Sequence, residues 1–337
     1  MKKIYVICPY GLVTGGPDAL HQLVYYLNNN GYKANIVYAD IKSYRYDIPI
    51  EYQIYVNKYL LLKDIEDNEN NILVVPEMEN HILNNYKMIK KYIWWLSVDN
   101  DLKYSGIKNK IKKIFAKIRL KNLKKLYKLN TLKNVIKHSR YDFSKEDNIE
   151  HLCASYYAFD YVSNNIMDKN KVHLCIEPIS KIFLDKSKFC RNDKSNIILY
   201  NPKKNLKFTK LIINKAPNMK FVPLTGFSQD ELIKIYQKSK VYMDFGFFPG
   251  AERIPKEAVI NGCCIITGKY GASNYYKDVP ILDKYKIEAK EENIEKIILK
   301  IEDLIDNYDK NIEDFETYRN VVWNLEDNFI ESIKKIF

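Results

Sequence analysis

Short apolar runs recur along the chain, each followed by a loop bearing glycine or proline and then by a segment with helical spacing. Lys3–Cys8 reads as a buried strand and Pro9–Gly16 as a loop. Pro17 suits the first turn of a helix whose packing face is Leu20, Leu23, Val24 and Leu27 and whose end is Asn30–Gly31. Further strands are expected at 34–39, 71–77 and 92–98, then at 149–155 and 171–175 with a helix between them. A polar stretch, 186–195, interrupts the pattern, which then restarts with strands at 197–200, 219–224, 241–245 and 263–267. Ser228 with Glu231 three residues on forms a capping box that opens a helix to Lys238. A shorter helix is expected at about 254–261, and the tail from Glu291 to Phe337 is largely helical. Strands alternating with helices predict parallel, doubly wound sheets. The polar stretch divides the chain into a first domain, 1–185, a linker, 186–195, and a second domain, 196–315. The segment 316–337 is expected as a C-terminal helix packing back on the first domain.

Length agrees with this division, since 337 residues exceed what one core of ordinary size holds. The six cysteines include no C-x-x-C pair and mostly sit in apolar runs, which points to buried thiols in a reducing compartment. The N-terminus lacks a signal-peptide pattern, and no apolar stretch is long enough to span a bilayer.

Charge changes the picture in one place. The net +12 is concentrated between Lys103 and Arg140, which hold 14 Lys or Arg and no acidic residue. Ile107, Ile111, Ile114 and Ile118 recur there at helical spacing, so the segment reads as a basic amphipathic helix pair inserted in the first domain. It is either a solvated face or a surface for anionic lipid headgroups, each cation there being worth roughly 1 kcal/mol. Nucleic acid is not expected as a partner, because the segment has little aromatic interleaving and no recognisable binding motif.

The candidate chemistry centres on Phe245–Gly262, which joins a strand ending at Asp244 to a short helix. A strand, a loop with glycine and proline, and a helix N-terminus together offer outward N–H groups and a dipole that favours phosphate. Arg253 and Lys256 add charge for a diphosphate, Glu257 is placed to accept from a sugar hydroxyl, and Pro249 and Gly250 shape the loop. Asn201, Lys203 and Lys204 follow a strand end, where an open α/β sheet binds its ligand. Thr225, Gly226 and Phe227 lie where a base would stack and bond to backbone. Gly15 and Gly16 form a loop without side chains, open to the close approach of a sugar diphosphate.

In order and spacing these segments resemble GT-B glycosyltransferases, in particular the bacterial enzymes of capsule and surface-polysaccharide synthesis. The resemblance rests on Leu224–Tyr236 followed by Val241–Asp244, on Tyr200–Lys204, on Gly15–Asp18 with His21, and on Trp94–Asn100 and Ser155–Ala158. It implies two Rossmann-like domains facing a cleft, with the acceptor bound by the first and a nucleotide sugar, most simply a UDP-sugar, by the second. It also implies an enzyme on the cytoplasmic face of the membrane that extends a glycan or a lipid-linked glycan. The commonest retaining members carry two glutamates separated by seven residues. Glu257 matches the second, while the first falls on Pro249. An inverting transfer needs a base for the acceptor hydroxyl. Glu77 and Asp99, each near a strand end, and Asp18 in the first helix are the candidates. His21 reads as a packing histidine, and His81, His138, His151 and His173 lack metal-ligand spacing. Asp99 and Asp101 supply the letters of D-x-D, which would mark a metal-dependent GT-A enzyme, but the two-domain order and the 245–262 loop speak against that fold. With phosphate charge met by Arg253, lysines and a helix dipole, neither metal nor cofactor is expected. A nucleotide-sugar 2-epimerase and a basic membrane-associated binding protein are the other readings of the same features.

Overall fold

A computed structural model describes residues 2–99, 148–165, 168–189 and 191–337. The basic insertion at 103–140 lies outside the described residues. The chain divides into two compact units. The first comprises Met1–Ala154, Ala158–Cys175 and Ser332–Phe337. The second comprises Ser155–Tyr157 and Ile176–Glu331, the polar stretch 186–195 included.

The first unit holds a seven-stranded sheet. Its strands are β1 (Lys3–Cys8), β2 (Lys33–Tyr38), β3 (Leu60–Leu61), β4 (Ile72–Pro76), β5 (Lys90–Trp95), β6 (Ile149–Cys153) and β7 (Val172–Leu174). They run in the order β3-β2-β1-β4-β5-β6-β7, all parallel. Ile4, Val6, Ile36, Val74, Ile93 and Trp94 are fully buried. A parallel sheet covered on both faces requires continuous apolar strands, and that is what the sequence shows. β3 is too short to leave a pattern, and the strand expected to reach 98 ends at Trp95.

The second unit holds β8 (Ser195–Tyr200), β9 (Lys220–Pro223), β10 (Ser239–Asp244) and β11 (Cys264–Thr267), ordered β11-β10-β8-β9 and again parallel. Its core is Ile198, Leu199, Val241, Tyr242, Ile265 and Ile266, closed by Ile297, Ile301 and Leu304 of the helix Ile294–Asp306. Ser228 Oγ accepts from the Glu231 N–H while the Glu231 carboxylate accepts from Ser228 N at 2.8 Å, so the capping box forms as expected.

Both sheets reverse winding direction at one point, β1/β4 in the first and β8/β10 in the second. In open α/β sheets ligands bind outside the carboxyl ends of the strands at such a switch. In the second unit the flanking loops are 201–205 and 245–252, which hold Asn201, Lys203, Lys204, Pro249 and Gly250 of the expected donor residues and lead into the helix that starts at Arg253.

Two buried histidines make the fold acid-sensitive. His21 Nδ1–H donates to Pro17 O at 2.6 Å and its Nε2 accepts from the Tyr38 hydroxyl at 2.9 Å. His151 Nδ1 accepts from Trp95 Nε1 at 3.0 Å. Burial pushes each down to about 4. The unfolded chain therefore takes up protons first as pH falls. The stability these groups hold is complete above the ordinary value of 6.5 and is lost between there and about 4. Each contributes up to about 3 kcal/mol. Melting temperature should fall across that window, less steeply in His151→Gln, whose amide oxygen still accepts from Trp95.

Candidate functional site

In the second unit, β8 ends at Tyr200 and the chain turns through Asn201, whose side chain accepts from Lys203 N at 3.0 Å. Asn205 sits in the left-handed region at φ 42° and donates through its side-chain amide to Phe245 O at 3.1 Å, tying this turn to the loop after β10. That loop is set by its own strand end. Asp244 accepts from Gly246 N at 2.8 Å and from the Tyr242 hydroxyl at 2.9 Å. A Cβ on Gly246 would collide with Cβ of Lys204, so the lysine stem lies directly on the glycine backbone. Further along, Phe248 N donates to Tyr270 O at 3.1 Å, and Ala272 N donates to Phe248 O at 2.8 Å.

The loop delivers the helix Arg253–Ile260. Its N-cap residue is Glu252, whose side chain makes no capping hydrogen bond. Instead its carboxylate lies 2.6 Å from Lys204 Nζ, which also stands 4.8 Å from the centre of the Phe248 ring. Lys256 is 3% exposed, and its Nζ has no hydrogen-bond partner among the described residues. Burial pushes its pKa down, against the pull of Glu177, Asp278 and Glu252 and with the push of Arg253. An uncapped helix N-terminus beside Arg253, Lys204 and an unsatisfied buried ammonium is an arrangement that an anion completes.

Glu257 is buried and accepts from the Tyr236 hydroxyl at 3.3 Å. Asp278 accepts from Tyr156 N at 2.7 Å and Tyr157 N at 2.9 Å, fixing the start of the helix Tyr156–Asn165. Thr225 and Gly226 are exposed at the end of β9, where Leu224 N donates to Tyr200 O at 2.9 Å. They share the sheet edge with the other donor candidates. Pro249 and Gly250 lie within the loop as expected. Glu252, Gly246, Asp278 and Gly271 are the residues that sequence reasoning passed over. Glu252 was visible in the motif but offered no spacing that marked it, and Asp278 lies in no motif at all.

In the first unit, Gly15 and Gly16 are the first residues of the helix Gly15–Asn29 and not part of the preceding loop. Thr14 starts that helix without a side-chain cap, and glycine tolerates the first turn well enough that sequence did not separate the two cases. Asp18 accepts from Gln22 Nε2 at 2.6 Å, within the helix. Glu77, 2% exposed, accepts from Leu96 N at 3.1 Å and so holds the ends of β4 and β5 together. Asp99 is half-buried beyond β5. Glu79 is the unforeseen carboxylate. It sits where two short 3₁₀ turns meet, at φ −108° and ψ 15°, 3.7 Å from His81 Nε2. Burial, with Asp40 and Glu77 adding to it, pushes its carboxyl up to about 7. Among the described residues, no group of three or more His, Cys, Asp or Glu is arranged to hold a metal ion, and no helix is long and apolar enough to cross a membrane.

No protein-family model matches the sequence, and no curated protein matches it. Solved structures do. A mutant of S. aureus TarM, in complex with fondaparinux, alpha-GlcNAc-glycerol and UDP, superposes with a TM-score of 0.67 at 11% identity, over 99% of this chain and 98% of its own. Sucrose-phosphate synthase from Thermosynechococcus elongatus gives 0.61 at 11% identity, over 100% and 98%. Anabaena HepE in complex with UDP-glucose gives 0.56 at 9% identity, over 99% and 100%. WaaG, a glycosyltransferase of lipopolysaccharide biosynthesis, gives 0.56 at 8% identity, over 98% and 99%. The described residues thus have the GT-B fold of such glycosyltransferases.

Proposed function

We propose that this chain is a glycosyltransferase that moves a sugar from a nucleotide-sugar donor to a glycan or lipid-linked glycan acceptor in surface-polysaccharide synthesis. The observation that carries the reading is the cluster of cationic side chains at the β8/β10 switch point. There the uncapped helix at Arg253, the buried Lys256 ammonium and Lys204 converge in a unit of GT-B fold. The helix N-terminus and Arg253 would hold the donor diphosphate, with Lys203 and Lys204 from the facing loop. Glu257 would receive the ribose, and the backbone at Thr225–Phe227 the base. That two of the similar structures hold UDP or UDP-glucose favours uridine as that base.

The first unit would take the acceptor, approached across Gly15 and Gly16. Among its carboxylates Glu79 fits the demands on a proton acceptor better than Glu77 or Asp18, whose oxygens support local structure. The basic segment 103–140 would rest on anionic lipid at the cytoplasmic face. That proposal rests on its charge, 14 cations with no acidic residue among them.

Thermal melting with nucleotides tests the donor site. A ligand at one hundred times its Kd adds about 2.7 kcal/mol to folding stability. UDP should therefore raise the melting temperature by several degrees, and Arg253→Ala should remove most of that rise. No shift with any nucleoside diphosphate would sink the reading, and a full shift in Arg253→Ala would move the site elsewhere.

A further inference from the structure

Beside the cationic cluster stands one acidic side chain. Glu252 is anionic and stands at the very helix N-terminus that is meant to receive an anion. Its side chain is 21% exposed and that of its partner Lys204 is 20% exposed, so the pair is largely removed from water. An N-cap carboxylate ordinarily accepts from the free N–H groups of the first helical turn. Glu252 makes no such bond, and its carboxylate is spent on Lys204 at 2.6 Å. The Lys204 stem is clamped on Gly246, and its ammonium lies 4.8 Å from the Phe248 ring centre. Only the head of that side chain has another partner to choose.

We propose that Glu252 is a built-in phosphate surrogate that sets how tightly the site retains its nucleotide. Resting on the donor reading above, the inference is that Lys204 exchanges Glu252 for a phosphate oxygen when a nucleoside diphosphate binds. The carboxylate competes for the same ammonium and repels the same phosphates. It thereby weakens the phosphate part of the binding energy and leaves the nucleoside part untouched. For an enzyme that must release a nucleoside diphosphate after each transfer, a resident competitor for the phosphate-binding lysine prevents product from lingering.

Titration calorimetry with UDP and with uridine separates the two parts. Glu252→Gln keeps the shape of the side chain and removes its charge. UDP should bind the variant about threefold to tenfold more tightly, the scale of a partly exposed ion pair. Uridine, which has no phosphate, should bind both proteins equally. A crystal structure of the UDP complex should show Lys204 Nζ on a phosphate oxygen and no longer on Glu252. Unchanged or weaker UDP binding by a folded Glu252→Gln protein would overturn the proposal. So would an equal gain for uridine, or an intact Lys204–Glu252 pair beside bound UDP. If wild type binds no UDP, the donor reading itself fails, and that outcome is distinct from all of these.

Discussion

Glu79→Gln is expected to lower sugar transfer by about 10²–10⁴-fold, the usual worth of general base catalysis, while UDP affinity stays as in wild type. The base would take the acceptor hydroxyl proton as the hydroxyl oxygen bonds to the anomeric carbon and the diphosphate leaves with its electron pair. Glu79 suits this because its carboxyl is pushed up to about 7 by burial and by the charges of Asp40 and Glu77. A base with a pKa near the working pH combines a useful ionised fraction with real proton affinity. His81, at 3.7 Å, faces the same carboxylate, and Cys8 at the end of β1 feels its charge. Activity should therefore climb as pH rises through about 7, and the climb should flatten in the Gln variant.

The same shift has an opposite consequence for folding. A carboxyl raised in the folded state holds its stabilising contribution below the ordinary value of 4.5 and loses it as pH rises through about 7. Glu79→Gln should hence be more stable than wild type at pH 8 and close to it at pH 4. Rate-versus-pH curves beside melting curves check both halves. A variant that turns over normally would remove Glu79 from the reaction and return Glu77 and Asp99 to candidacy. The Glu77→Gln variant should instead show its main defect in stability, since Glu77 ties Leu96 N at the ends of two buried strands.

The legibility of this chain follows the physics of its parts. Strands buried on both faces must be apolar throughout, so β1, β4, β8, β10 and β11 announce themselves, and their alternation with helices leaves a parallel doubly wound sheet as the economical solution. Arg253, Lys256 and Glu257 were legible as a group because a strand, a loop and a helix N-terminus follow one another in sequence. Glu79 was not, because its properties come from Asp40 and Glu77, one of them far away in the chain, and from a burial that no local pattern encodes. Glu252 was not, because its role depends on Lys204, forty-eight residues earlier and brought near only by the pairing of β8 with β10. Charge pairs across adjacent parallel strands carry no sequence period, so the candidate site stands out in the sequence as a strand, loop and helix N-terminus while its internal wiring does not.

Gly271 illustrates the same limit and gives the sharpest structural test. It has φ 65° and ψ −137°, a backbone conformation that residues with a Cβ scarcely adopt. A Cβ there would also run into the Phe248 carbonyl oxygen, a backbone atom that cannot step aside as a side chain would. The carbonyl is fixed because Ala272 N donates to it at 2.8 Å, while Phe248 N donates to Tyr270 O at 3.1 Å. These two bonds dock the middle of the loop between β10 and the helix at Arg253 against the segment after β11. Gly271→Ala should therefore cost about 2–6 kcal/mol, torsional strain and overpacking each adding roughly 1–3. It should also abolish the UDP-dependent rise in melting temperature, since the loop that aims Arg253 and Lys204 loses its mooring. Gly31 supplies the control. Its φ is 86°, so an alanine there is strained too, but nothing stands within 4 Å of the added Cβ. Gly31→Ala should cost only about 1 kcal/mol and should retain the UDP shift. Equal losses in the two variants would mean that backbone torsion alone governs both positions and that the contact with Phe248 does not anchor the donor loop.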